Sequence, residues 1–203
     1  MGFFSKLFAK NKGEEKVMAK EPIKIGIIIG SVRKERNAEA VAKHMYDFAV
    51  KRNDEAVEYE LVDLKDYKLP FLGADATPEE EEAVKAWSDK MASFDGYVFV
   101  TPEYNHAVGG ALKNALDFLN PEVNNKAAGF VGYGSLGGTR AHENMRLILA
   151  ELQVATVRTA VTFSLMTDFE NMSVFKPADY HENNMNEMLD QLINWSRALK
   201  MIR

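Results

Sequence analysis

The sequence predicts an α/β fold, a parallel sheet of five strands with helices packed on both faces. Three observations predict it. Apolar runs of strand length alternate with stretches of helical periodicity from residue 23 to the C-terminal end. The first run, Ile23–Ile29, is an aliphatic stretch bounded by Pro22 and Gly30, as a strand buried on both faces must be. Polar and glycine-rich segments follow the strands, where an open parallel sheet presents its ligand-binding end.

The elements follow in order. After the Ile23–Ile29 strand, Val41, Ala42, Met45, Phe48 and Ala49 recur at helical spacing. Val57–Leu64 is the second strand, and Lys65–Ala76, with Pro70 and Gly73, reads as a loop. Thr77-Pro78-Glu79-Glu80 is a helix start: a Thr cap, Pro at the first position and Glu three residues after the cap. Val84, Trp87 and Met91 form the buried face of that helix. Gly96–Val100 is the third strand, ending at Thr101-Pro102. Gly110–Leu119 is a helix that Asn120-Pro121 stops. Ala127–Tyr133 is the fourth strand, Gly134–Gly138 a glycine turn, and Thr139–Leu152 a helix. Thr156–Val161 is the fifth strand, Thr162–Glu182 is irregular, and Asn183–Leu199 closes the chain as an amphipathic helix.

Composition narrows the function. The 203 residues are 46% hydrophobic and 27% charged, which suits one globular domain over residues 22–203. A net charge of −5 argues against a nucleic-acid binder. With no cysteine, disulfides and thiolate chemistry are excluded, so any redox work belongs to a bound cofactor. His44, His106, His142 and His181 have no metal-site spacing, and no metal is expected. No apolar run reaches transmembrane length, and a cytoplasmic location is expected. Residues 1–21 read as a leader, mobile or a docking helix, with Phe3, Phe4, Leu7 and Phe8 on one face; a membrane-surface anchor is the alternative. Met18 is an alternative start.

Three strand ends carry the chemistry. Gly30–Asn37 runs from the first strand into its helix, where backbone N–H groups and the helix dipole favour a phosphate. Ser31 and Asn37 add polar side chains, and Arg33 and Arg36 add charge-assisted donors. Neither the Walker pattern nor GxGxxG is present. Thr101–His106 makes a stiff loop whose backbone suits the edge of a planar ring, with Tyr104 covering apolar surface. Gly132–Arg140 lets the backbone approach a ligand closely. These loops follow strands one, three and four, beside the switch point of a flavodoxin-like 2-1-3-4-5 order. A mononucleotide with a large planar ring fits them.

On GSVRKERNAEAVA, TPEYNHAVGGALKNALDFL and GYGSLGGTRAHENMR the chain resembles the NADPH-dependent FMN reductases, the flavodoxin-like group that includes bacterial quinone, chromate and azo-dye reductases. The resemblance runs from Ile23 to about Leu199 and implies a three-layer flavodoxin-like sandwich. It implies that Ser31, Arg33, Arg36, Asn37 and Ala38 bind the FMN phosphate. Pro102, Glu103, Tyr104 and Asn105 then line the isoalloxazine, and Gly134, Ser135, Gly137 and Gly138 approach its pyrimidine side. It further implies hydride transfer from NADPH or NADH through FMN to a small acceptor (quinone, azo compound, metal oxyanion or free flavin) in a homodimer or homotetramer. No side chain is assigned as catalytic: His106 reads as structural or solvent-facing, and Arg140 as a helix-cap residue or a contact to an NADPH phosphate. The rival readings are an FMN-binding electron carrier and a non-redox module that binds a phosphorylated ligand. Leu165–Tyr180 matches no motif.

Overall fold

A computed structural model describes residues 21–203; the leader, its docking or anchoring role and the alternative start at Met18 lie outside the described residues. The chain forms β1 (Ile23–Ile29), α1 (Ala38–Arg52), β2 (Val57–Asp63), α2 (Pro78–Ala92), β3 (Gly96–Tyr104) and β4 (Ala107–Val108). It continues with α3 (Gly110–Asp117), β5 (Lys126–Gly134), α4 (Thr139–Glu151), β6 (Val154–Thr156), β7 (Val161–Ser164), β8 (Phe169–Glu170), β9 (Val174–Phe175) and α5 (His181–Lys200).

The sheet order is β2-β1-β3-β5-β6, with parallel pairing throughout that path. This is the flavodoxin-like arrangement expected; the labels shift because the short β4 intervenes in the chain. Ile25, Ile27 and Ile28 of β1 are fully buried, since α1 and α5 cover one face and α2, α3 and α4 the other. Burying each such side chain stabilises the fold by about 1.5–3 kcal/mol. The Thr77 capping box forms as the residues predict: Thr77 N donates to Glu80 Oε2 at 2.8 Å and Glu80 N to Thr77 Oγ1 at 3.3 Å. Further along α2 the buried Trp87 indole N–H donates to the Ala115 carbonyl at 2.8 Å and joins α2 to α3.

Two elements differ from expectation. The fifth strand is split. Lys126 pairs with Val154 but Val131 with Val161, so the edge strand carries two residues more than its neighbour over the same stretch. An edge has no second neighbour to break, so it accommodates such a bulge. The third strand continues past Pro102 and turns back as a hairpin with β4, Asn105 (φ 48°) and His106 (φ 67°) both left-handed at its tip. Pro102 is tolerated because β1 stops pairing at Val100, so no neighbour on that side needs its N–H.

The segment 165–180 is also more ordered than the irregular stretch predicted. It forms the β8–β9 hairpin, anchored by the buried Asp168 carboxylate. Asp168 accepts from Ser164 N at 2.8 Å and Thr167 Oγ1 at 3.1 Å, and meets His181 Nε2 at 2.7 Å.

Candidate flavin site

The three strand ends converge at the C-terminal edge of the sheet. The first loop leaves β1 at Gly30, whose N–H donates to Val100 O at 2.9 Å. Ser31 is buried and its Oγ has no hydrogen-bond partner. Arg33 is exposed and its guanidinium lies 5.8 Å from the Tyr104 ring centroid, which brings the first loop against the second. Arg36 points elsewhere. Its side chain is almost wholly buried, forked onto Asp63 at the end of β2, paired with Glu39 and donating to the Ser31 carbonyl. Those bonds brace the loop rather than offer the guanidinium to a ligand. Asn37 Nδ2 donates to the Met172 carbonyl at the tip of the β8–β9 hairpin at 3.2 Å, and Ala38 is the buried first residue of α1.

Pro102, Glu103, Tyr104 and Asn105 form the second wall. Tyr104 is about one-third exposed, so its ring is open to a ligand. The Glu103 carboxylate is buried and turned under the wall. It accepts from Arg140 N at 3.1 Å and pairs with the Arg140 guanidinium. Burial alone would raise this carboxyl, but Arg140 and the α4 backbone N–H groups outweigh it and hold it below the usual carboxylate range. Arg140 also donates to His106 Nε2 at 2.7 Å, which fixes the hairpin tip. His106 is therefore a brace, and Arg140 reaches the second wall instead of standing free.

The third wall is the turn Gly134–Gly138. Gly137 (φ 69°) and Gly138 (φ 79°) take left-handed backbone. Ser135 O accepts from Ser164 Oγ at 3.2 Å and Gly134 O from Leu165 N at 2.9 Å, so β7 supports the turn from outside. Beneath it His142 stacks on Phe130, with ring centroids 5.3 Å apart.

Burial pushes the His142 imidazole down to about 4, Arg146 acting in the same direction and Glu103 against it. His142 is thus neutral when folded and takes up a proton on unfolding. The folded state loses stability as the pH falls from about 6.5 towards 4, by roughly 3 kcal/mol at the end of that window. Denaturant titrations between pH 8 and pH 4 should show this slope, and His142→Leu should flatten it.

Sequence reading missed Tyr133 and Asp63. Tyr133 ends β5 with its hydroxyl buried and unpartnered, like Ser31 Oγ. Burial raises its phenol well above the usual range; Tyr104 adds to this, while Ser31, Arg36 and Arg33 oppose it. Its signal was a tyrosine between two glycines at a strand end. Asp63 showed no signal, because its role exists only once β2 lies beside β1. A buried hydroxyl left unpaired costs about 1–3 kcal/mol, so two beside one cationic loop fit a phosphate ligand.

The model of the NADPH-dependent FMN reductase family matches residues 23–168. The chain is 33% identical over 182 residues to the NAD(P)H-dependent FMN reductase C4B3.06c of Schizosaccharomyces pombe, covering 86% of this chain and 88% of that one. It is 35% identical over 131 residues to the NADPH azoreductase of Bacillus sp. (strain OY1-2), covering 63% and 69%. In fold it is similar to FerB, a flavoenzyme NAD(P)H:(acceptor) oxidoreductase from Paracoccus denitrificans, with a TM-score of 0.64 at 22% identity over 85% of this chain and 98% of that one.

Proposed function

The chain belongs to the NADPH-dependent FMN reductase family, and from that premise we propose how its own residues hold FMN and serve the acceptor. The carrying observation is the pair of buried, neighbouring hydroxyls, Ser31 Oγ and Tyr133 Oη, with no partner at normal hydrogen-bond distance, at the end of the sheet that carries Arg33. In this reading they bond the FMN phosphate with Arg33 and the start of α1, while Arg36 keeps the loop in shape. Asn37 stands at the N-cap position of α1 but spends its side-chain amide on the Met172 carbonyl, tying the loop to the β8–β9 hairpin. The Pro102–Asn105 wall and the Gly134–Gly138 turn flank the isoalloxazine.

Bound FMN supplies the chemistry, accepting hydride from NADPH or NADH and passing reducing equivalents to a small acceptor. The protein orients the ring and presents backbone donors to it. No side chain is required to move a proton. Residues 22–203 act as one FMN-binding domain. A homodimer or homotetramer belongs to the same proposal, with exposed Leu147 and Trp195 as apolar surface such an assembly would cover. No helix among the described residues is long and apolar enough to cross a membrane. A cytoplasmic location goes with the use of reduced nicotinamide nucleotides.

The test is the visible spectrum of the purified chain and the stoichiometry of FMN reloading. Wild type should bind about one FMN per chain. Ser31→Ala and Tyr133→Phe should each weaken FMN about tenfold to 150-fold, the worth of one hydrogen bond to a charged group. A colourless protein that cannot be loaded would overturn the reading and favour a non-redox phosphate-binding module. Flavin binding without NAD(P)H turnover would favour the carrier.

A further inference from the structure

Beside the flavin walls lies a cavity of about 370 Å³ that none of these roles uses. It opens between the loop after β2 and the first turn of α3. Leu64, Tyr67, Leu69, Phe71 and Ala111 wall it, together with Val32 of the first flavin loop. Gly110 also lines it, next to Gly109, which packs against the Tyr104 ring. The wall is built rather than loose. Asn114 on α3 accepts from Leu72 N at 3.0 Å and donates to the Pro70 carbonyl at 2.8 Å. Phe71 nevertheless stands 78% exposed, with Leu72 at 55%. Adjacent apolar side chains left in water mark a binding surface.

The rim is cationic. Lys65 and Lys68 border the cavity, and neither ammonium has a carboxylate partner among the described residues. Lys43, Lys85, Lys90 and Lys113 are all paired. An apolar slot with two unpaired ammoniums at its mouth is complementary to an aromatic ring system carrying an anionic substituent.

We propose that this cavity is a subsite for the electron acceptor, and that it selects aromatic acceptors bearing a sulfonate or carboxylate over neutral ones. Its purpose rests on the FMN reading above; its existence does not. The rings lie against Phe71 and Ala111, and the anionic group stays at the mouth beside Lys65 and Lys68. The acceptor is thereby held next to the Tyr104 wall.

The test is equilibrium binding, without reductant, of a monosulfonated phenylazonaphthalene and its unsulfonated parent to the full chain, read by dye absorbance. Wild type should bind the sulfonated dye more tightly, and salt should erase that preference. Lys65→Glu combined with Lys68→Glu should lower the affinity ratio between the two dyes about tenfold. Ala111→Leu, which narrows the slot, should weaken both dyes while leaving the circular dichroism spectrum unchanged. Equal affinity for the two dyes in wild type, or a double charge reversal that leaves their ratio intact, overturns the subsite. An equal loss of NADP⁺ affinity in the double variant overturns its assignment to the acceptor. Flavin loading is read on the same samples, so failure of the FMN reading shows separately as a protein that stays colourless.

Discussion

Gly132→Ala should lower stability by about 3 kcal/mol, the upper end of the range for overpacking a filled site, and leave the chain without FMN. A Cβ there would run into the His142 imidazole and come within 2.5 Å of the Gly137 carbonyl. Neither obstacle can yield cheaply. The imidazole is buried and stacked on Phe130, and the carbonyl belongs to a turn held between Gly134 and β7. Gly138, in left-handed conformation, packs back on Gly132, and a Cβ on it would lie 2.9 Å from the Gly132 Cα. The turn therefore moves as a unit, and moving it displaces the wall proposed to face the pyrimidine side of the flavin. A denaturant midpoint and the flavin absorbance of purified variant and wild type check both parts. A variant with the wild-type midpoint and full flavin content would show that the turn is not close-packed.

The parts legible in the sequence are those set by short-range rules. Ile23–Ile29 announces a central strand because nothing but a doubly covered position suits it. Thr77-Pro78-Glu79-Glu80 announces a helix start because capping is a contact within four residues. What was hidden depends on contacts between distant segments. The hairpin tip Asn105-His106 lacks the Asn-Gly pair that marks such turns, and is held by Arg140, 34 residues away. The edge bulge between Thr156 and Val161 leaves Val157 buried and bonded to Ala128 O, so its apolar pattern matches that of an unbroken strand. At the site, residue types located the loops but not the directions of the side chains. Arg33 and Arg36 carry the same charge in one octapeptide, yet only the second has Asp63 in reach once β2 pairs with β1. Glu103 likewise belongs to the flavin wall by position while its carboxylate serves the start of α4.

That placement makes Glu103→Gln the second large perturbation. The glutamine keeps the shape but not the charge, and so loses the ion pair with Arg140 and the favourable interaction with the N-terminal end of α4. Arg140 is partly exposed and regains water, so the loss should be about 2 kcal/mol, below that of a fully buried pair. The carboxyl is held below its usual 4.5, so its contribution is present above that value and disappears as the pH falls through the lowered one. In the variant that part of the acid dependence should vanish. The functional consequence follows from connectivity. Glu103 and Arg140 join the hairpin wall to the glycine turn, so loosening the joint should weaken FMN about tenfold without touching Ser31 or Tyr133. Arg140→Ala should give a similar loss, because the two residues act as one strut. In a double-mutant cycle the combined variant should then be little worse than either single one, with a coupling energy of about 1–2 kcal/mol. Additive losses would mean that Glu103 supports α4 and Arg140 holds His106 as separate tasks, and that the two walls are not mechanically joined at this point.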